Sequence, residues 1–313
     1  MYIPKQLTIE TTNICNLNCN FCPRLTDTMP LKNMEEELFY EIVEKIDTPV
    51  VITPWINGEP TLHPKFHEFA AHLNEKKHKY CLTTNGMLWK EKSFQAVTDS
   101  NSGCYQVMFS IDGYFNKSND TIRVGSDLNT IKENVSRFIK LKKDKKSSID
   151  IGVKIVNKGQ DYEEIEEFLF YWLSMNGIDY VSYAGLMGPN GSPKIRHYPC
   201  KSLNEGGTLS IRLDGSILRC CYNEDAINKK EYYLGNIRDF KTITEAFNSD
   251  GFNKIRDGEK NGIFSSPCDT CSFSYNGKGF SGIIEFRDED KRKKMPKISW
   301  HNDAFQEFYS VKK

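Results

Sequence analysis

The sequence predicts an α/β protein, a partial TIM-like (β/α)6 barrel followed by a smaller cysteine-bearing region, and three observations predict it. Short β-type runs alternate with helical patterns over the first 184 residues. Polar motifs recur at the same end of successive runs. After residue 185 the alternation stops and a Gly/Pro/Ser-rich stretch, "GLMGPNGSPK", gives way to spaced cysteines.

The strand candidates are QLTIETT (6–12), VVITPWI (50–56), KYCLTT (79–84), YQVMFS (105–110), SIDIGVKIV (148–156) and DYVSYA (179–184). Helical spacing is equally legible between them. Leu38, Phe39, Ile42, Val43 and Ile46 form one stripe, Ile131, Val135, Phe138 and Ile139 another, and Ile165, Phe168, Leu169, Trp172 and Leu173 a third. Strands joined by crossover helices imply a parallel sheet with ligands at the carboxyl ends of the strands. At those ends stand the loop "CNLNCNFCPR" (15–24), then "NGEP" (57–60), "TNG" (84–86), "SIDG" (110–113) and Asn157. Loops from different strands converge on one mouth in such a fold. Six units rather than eight leave the barrel open on one side.

Composition disfavours several classes. Lys+Arg and Asp+Glu balance at 42 each, so no electrostatic footprint for nucleic acid or an acidic membrane surface exists. No apolar run reaches the about 18 residues of a membrane span, and the first residues lack the order of a signal peptide. A cytoplasmic protein is expected. Ten cysteines in such a chain point to metal or redox chemistry rather than a disulfide framework.

Cys15, Cys19 and Cys22 lie in a C-x3-C-x2-C spacing. Three thiolates from one loop suit an iron-sulfur cluster bound through three irons, with the fourth open to an exogenous ligand. Zinc would want a fourth protein ligand, and the next histidine, His63, belongs to another loop. The plainer alternative is a fortuitous group of thiols. The spacing, the aromatic Phe21 before the third cysteine, and "NGEP" after the second strand resemble the radical S-adenosylmethionine (SAM) superfamily over residues 6–184. The resemblance implies a [4Fe-4S] cluster whose open iron is chelated by SAM, and reductive cleavage to a 5'-deoxyadenosyl radical that takes hydrogen from substrate. It assigns Asn57, Gly58, Glu59 and Pro60 to the methionyl amino group, Ser110 and Asp112 to the ribose and carboxylate, Arg123 to the carboxylate and Asn157 to the ribose or adenine. Ordinary turn, cap and ion-pair roles are the competing readings of Ser110, Asp112, Arg123 and Asn157.

Cys200, Cys220, Cys268 and Cys271 form a second set, with a hairpin turning at Asp214-Gly215 inside it and a helical stretch following "LGNI". Four thiolates suit zinc or a fully ligated cluster. Their order resembles the shortened SPASM, or twitch, module of one radical SAM branch, which implies one auxiliary [4Fe-4S] cluster. The expected division is 1–190 for the barrel, 191–275 for the SPASM/twitch iron-sulfur domain and 276–313 for a C-terminal extension. In that extension "DEDKRKK" reads as solvated and "WHNDAFQEFYS" as a short helix, together expected to help close the open side. Cys221 is read as a thiol hydrogen donor, a replacement ligand for Cys220 or a buried small hydrophobe. His197, with Arg196 and Tyr198, is a candidate substrate acid or base or a structural residue. Cys81 and Cys104 are expected to pack on strands.

The architecture resembles the aminocyclitol dehydrogenase type, which implies oxidation or rearrangement of a small polar, sugar- or cyclitol-like substrate. A second expectation is epimerisation or cross-linking of a ribosomally made peptide, although only 14 residues precede Cys15, too few for a fused recognition domain at that end. A third is a noncatalytic iron-sulfur or zinc scaffold. Either enzymatic reading requires a low-potential flavodoxin- or ferredoxin-type electron donor.

Overall fold

The structure, a computed structural model, describes residues 1–184, 199–204, 206–220, 228, 230–266, 268–270 and the backbone of 281–285. Over the first of these stretches the predicted alternation is present as β1 (Gln6–Ile9), α1 (Glu36–Glu44), β2 (Val51–Thr53), α2 (Phe66–Glu75), β3 (Lys79–Thr84), α3 (Glu91–Val97), β4 (Cys104–Ser110), α4 (Asn116–Ile122), α5 (Leu128–Lys145), β5 (Asp150–Val156), α6 (Tyr162–Ser174) and β6 (Tyr180–Ala184). Strands β1 to β6 pair in sequence order, each parallel to the next. The first two strands are shorter than the apolar runs suggest. Pro54, which has no N–H to give the ladder, follows the end of β2. β1 gives way after Ile9 to the cysteine loop, although the Glu10 amide still donates to the Ile211 carbonyl at 2.9 Å.

The helices form where their caps and stripes direct. Asp127 accepts from the Thr130 amide at 2.9 Å to start α5, and Asp161 accepts from the Glu164 amide at 2.8 Å to start α6. Leu38, Phe39, Ile42 and Val43 are buried on α1, Ile131, Val135 and Phe138 on α5, and Phe168 and Trp172 on α6. Ile46 lies past the end of α1, at the half-buried margin of the core. These side chains pack with the apolar side of the strands, including Ile52, Leu82, Val107, Phe109, Val153 and Val181, in one continuous core.

The other side of the same strands is polar and also buried. Gln6 Nε2 donates to Thr53 Oγ1 at 2.8 Å, and Thr208 Oγ1 donates to Gln6 Oε1 at 3.1 Å. Thr8, Thr53 and Ser210 are nearly inaccessible. This is the concave face of a curled, open sheet, in which alternate side chains divide between helices and lumen.

The cysteine-bearing region joins this sheet. α7 (Lys201–Asn204) is followed by β7 (Thr208–Ile211), β8 (Ser216–Leu218) and β9 (Tyr233–Asn236), then α8 (Ile243–Phe247) and α9 (Asp250–Lys260). β7 pairs in parallel with β1, while β8 and β9 continue antiparallel from it. The hairpin turns at Asp214-Gly215 as its sequence predicts, with the Ser216 amide donating to Asp214 Oδ1 at 3.0 Å. A strand within the C-terminal extension, β10 (Ser281–Glu285), pairs antiparallel with β6. That strand was not expected, although it lies on the open side that the extension was expected to cover. The sheet order is β10-β6-β5-β4-β3-β2-β1-β7-β8-β9, with β10 and β9 as its edges among the described residues. The expected helix at 300–310 lies outside the described residues.

Candidate active site

The three-cysteine loop is held by its own backbone and by its neighbours. The Cys22 amide donates to the Cys19 carbonyl at 3.0 Å, and Leu17 is buried as an apolar anchor. Arg24 Nη2 donates to the Leu17 carbonyl at 2.8 Å and to Asn18 Oδ1 at 2.7 Å. The Asn18 and Asn20 amides donate to the carbonyls of Val124 and Ile122, which pins the loop to the end of α4. None of the three cysteines forms a disulfide among the described residues. N–H groups point at Cys15 and Cys19: the Leu17 amide reaches Cys15 Sγ at 3.4 Å, Asn85 Nδ2 reaches it at 3.7 Å, and Arg123 Nη1 reaches Cys19 Sγ at 3.9 Å. Burial pushes both the Cys15 and Cys19 thiols up, with Arg123 opposing this at Cys19. Among the described residues no group of Cys, His, Asp and Glu has the spacing of a single-ion site. The fit to an iron-sulfur cluster therefore rests on the donor chemistry: three cysteines of one loop outside any disulfide, with N–H groups directed at the sulfurs of Cys15 and Cys19.

NGEP lies directly on the approach to this loop. The Glu59 amide donates to the Ile14 carbonyl at 2.9 Å, and the Asn57 amide to Glu10 Oε1 at 3.3 Å. Gly58 has φ +76°, and a Cβ there would stand 2.4 Å from the Thr12 carbonyl oxygen. Only glycine permits both that conformation and that approach. Glu59 is buried and accepts four bonds. Oε1 takes the Thr61 amide and hydroxyl at 3.2 and 2.7 Å and the Thr84 hydroxyl at 2.9 Å, while Oε2 takes the Asn85 amide at 2.7 Å. Burial pushes its carboxyl up, against those donors. Pro60 opens the short 3-10 turn Pro60–Leu62.

Ser110 ends β4 and stands in register with Lys154 on β5, which is in register with Ser182 on β6. Asp112 is fully buried. Its Oδ1 accepts the Val156 amide at 2.7 Å, and its Oδ2 lies 2.8 Å from Arg123 Nε. Asp112 and Arg123 are thus a buried pair beside Cys19. Asn157 donates to the Tyr183 hydroxyl on β6 at 3.0 Å and accepts from the Gly159 amide at 3.0 Å, the latter a turn contact.

Sequence reasoning missed two members of this site. The first is Asn85, which touches both Glu59 and Cys15; its signal was the "TNG" at the end of the third strand, noticed there without a role. The second is Arg212 on β7. It is wholly buried and donates Nε to Glu10 Oε2 at 2.8 Å, Nη1 to the Tyr233 hydroxyl at 3.1 Å, and Nη2 to Asp27 Oδ2. Asp27 Oδ2 also takes Asn57 Nδ2 at 3.2 Å. Burial works against the guanidinium charge, but Glu10, Asp27 and Tyr233 outweigh it and hold Arg212 above its ordinary value.

Of the second cysteine set, Cys200, Cys220 and Cys268 form no disulfide among the described residues. The Cys200 amide donates to Glu259 Oε2 at 2.8 Å, so α9 positions it. Arg219, beside Cys220, donates to the Ser266 carbonyl and the Ser265 hydroxyl, each at 3.0 Å, on the segment leading to Cys268. Cys271, Cys221, Arg196, His197 and Tyr198 lie outside the described residues. Cys104 is buried in the core, and Cys81 lies 3.6 Å from Thr53 Oγ1 on the concave face, both packed on strands as expected.

A family model described as the radical SAM superfamily matches residues 9–185, and one described as an iron-sulfur cluster-binding domain, SPASM, matches residues 200–272. The tungsten-containing aldehyde ferredoxin oxidoreductase cofactor-modifying protein of Pyrococcus furiosus is 24% identical over 316 residues, covering 86% of this chain and 87% of its own. Among solved structures, Streptococcus suis SuiB bound to SAM is 17% identical with a TM-score of 0.63, covering 82% of this chain and 68% of its own. SuiB is also solved with its precursor peptide SuiA. SAM-bound anSMEcpe is 18% identical with a TM-score of 0.61, covering 98% and 96%. At such identities the structural likeness bears on the fold.

Proposed function

The chain belongs to the radical SAM superfamily and carries a SPASM domain, and from that premise we propose that it is a radical enzyme that abstracts hydrogen from a small polar substrate and oxidises or rearranges it. Its cofactors are SAM and two [4Fe-4S] clusters, one of them auxiliary. When bound, the cluster and SAM supply one-electron cleavage of the sulfonium and a 5'-deoxyadenosyl radical. The chain's own residues hold and orient. Cys15, Cys19 and Cys22 are the ligands of the SAM-binding cluster, and Cys200, Cys220, Cys268 and Cys271 those of the auxiliary one. Asn57 to Pro60 receive the methionyl amino group, with Glu59 as the carboxylate behind them. Ser110, Arg123 and Asn157 serve the remaining SAM contacts, and Asp112 fixes Arg123.

The single observation that carries this reading is the direct hydrogen bond from the Glu59 amide to the Ile14 carbonyl, which joins the two motifs. The polar concave face supports a polar substrate, for Gln6, Thr53, Ser110, Lys154, Ser182 and Thr208 stand where a packed barrel would place aliphatic side chains. A second reading, modification of a ribosomal peptide, is favoured by the likeness to SuiB, solved with its precursor peptide. Either requires a flavodoxin- or ferredoxin-type donor.

The test is anaerobic reconstitution with iron and sulfide counted, then 5'-deoxyadenosine assayed with dithionite and SAM. About eight irons per chain are expected, with nucleoside formation lost in Cys15→Ala. Cleavage unaffected by that substitution would refute the assignment.

A further inference from the structure

We propose that Asn85 tunes the reduction potential of the cluster held by Cys15, Cys19 and Cys22, by donating a side-chain N–H to the Cys15 sulfur; the proposal rests on the functional reading above. Asn85 follows β3 directly and is 6% exposed. Its amide orientation is fixed by its partners. Oδ1 accepts the Met87 amide at 3.0 Å, and a backbone N–H can only donate, so the NH2 group must point the other way. That group has two protons and two acceptors: Asn16 Oδ1 at 2.9 Å and Cys15 Sγ at 3.7 Å. Its own backbone amide meanwhile donates to Glu59 Oε2 at 2.7 Å.

The Asx turn to Met87 sets the amide plane and so turns the NH2 group away from Met87; what that group then meets is Asn16 Oδ1 and the Cys15 sulfur. A neutral thiol is a weak acceptor, whereas a thiolate shared with iron carries the charge that makes such a donor count. One-electron reduction adds negative charge to the cluster and its sulfurs. A fixed N–H dipole with its positive end on Cys15 stabilises the reduced form more than the oxidised one and raises the potential. The donor therefore eases one-electron reduction of the cluster by the external electron donor, and lowers by the same amount the driving force for passing that electron on. The Leu17 amide, at 3.4 Å from the same sulfur, contributes in the same sense from the backbone, where substitution cannot remove it. Asn85 is a positioning and tuning residue, since it touches a cluster ligand and not the reacting atoms.

The experiment is an EPR-monitored redox titration of the reconstituted holoenzyme without SAM, comparing wild type with Asn85→Asp and Asn85→Ser. Asp keeps the acceptor for Met87, loses the donor and adds charge; Ser keeps a turn-forming hydroxyl but no donor that reaches Cys15. Both are expected to shift the SAM-binding cluster to lower potential, Asp further than Ser, while the auxiliary cluster stays where it is. Full iron content with an unmoved potential overturns the proposal. Loss of iron from both variants also overturns it, because Asn85 would then be a structural support of the loop. Wild-type protein that builds no cluster on Cys15, Cys19 and Cys22 instead sinks the functional reading, so the two failures are distinguishable.

Discussion

Lys154 is the residue whose position costs the fold most visibly without repaying it in contacts. It sits on the concave side of β5 between Ser110 and Ser182, and no hydrogen bond or ion pair reaches its ammonium among the described residues. Burial pushes its pKa down, Asp112 opposes that, and Arg123 adds to it. The sign of the consequence follows from proton linkage. Between the lowered pKa of the folded state and the ordinary 10.5, the unfolded chain holds a proton that the folded chain has released, so stability rises with pH across that window. Lys154→Met is therefore expected to stabilise the protein at neutral pH by about 0.5–2 kcal/mol, the usual range for relieving a functional compromise. It should also flatten the rise toward alkaline pH. Urea denaturation of both proteins at neutral and alkaline pH checks this, and a destabilised variant would mean that the lysine has a structural partner.

At the scale of elements, β7 is the joint between the two halves of the chain. It pairs with β1, and Arg212 extends from it to Glu10 beyond β1 and to Asp27 in the loop that follows the three cysteines. Removing the guanidinium strands two buried carboxylates. Arg212→Met is expected to cost about 3–5 kcal/mol, the range for breaking a buried pair from one side. Adding Glu10→Gln and Asp27→Asn should recover much of that loss, so that the three changes are markedly less harmful together than their sum. Denaturation midpoints across this cycle measure it, and simple additivity would show that the array is not coupled. This joint was illegible in the sequence because parallel pairing of strands about 200 residues apart, Gln6 with Thr208, leaves no local periodicity. By contrast β3 was legible to the residue, since KYCLTT is a β-rich run bounded by polar residues and glycine. Helix stripes were legible for the same reason: period and caps are local, whereas register partners are not.

For the whole molecule, the reading of the site divides along the same line. The cysteines, Gly58 and Glu59 were visible because spacing and motif carry them. Asn85 and Arg212 were not singled out, because their importance lies in what they reach across space. That mode of assembly makes the cysteine-bearing half part of the main sheet, and it separates two perturbations that sequence alone would treat as equivalent. Deleting the chain after Ala184 uncovers the β1 edge, where Gln6 to Ile9 pair with Thr208 to Ile211, and leaves Glu10 and Asp27 without Arg212. An open strand edge and unpaired buried charge both favour aggregation. Replacing Cys200, Cys220 and Cys268 with alanine removes only the proposed auxiliary ligands and keeps every strand of the sheet. The expected outcome is an insoluble truncation beside a soluble triple variant whose iron falls from about eight to about four per chain. The triple variant should still form 5'-deoxyadenosine from SAM under dithionite, because the first three cysteines are untouched, while turnover of substrate is lost. Iron analysis, size-exclusion chromatography and the nucleoside assay decide it. A soluble truncation that still cleaves SAM would show that β7 and Arg212 are dispensable to the first cluster's loop.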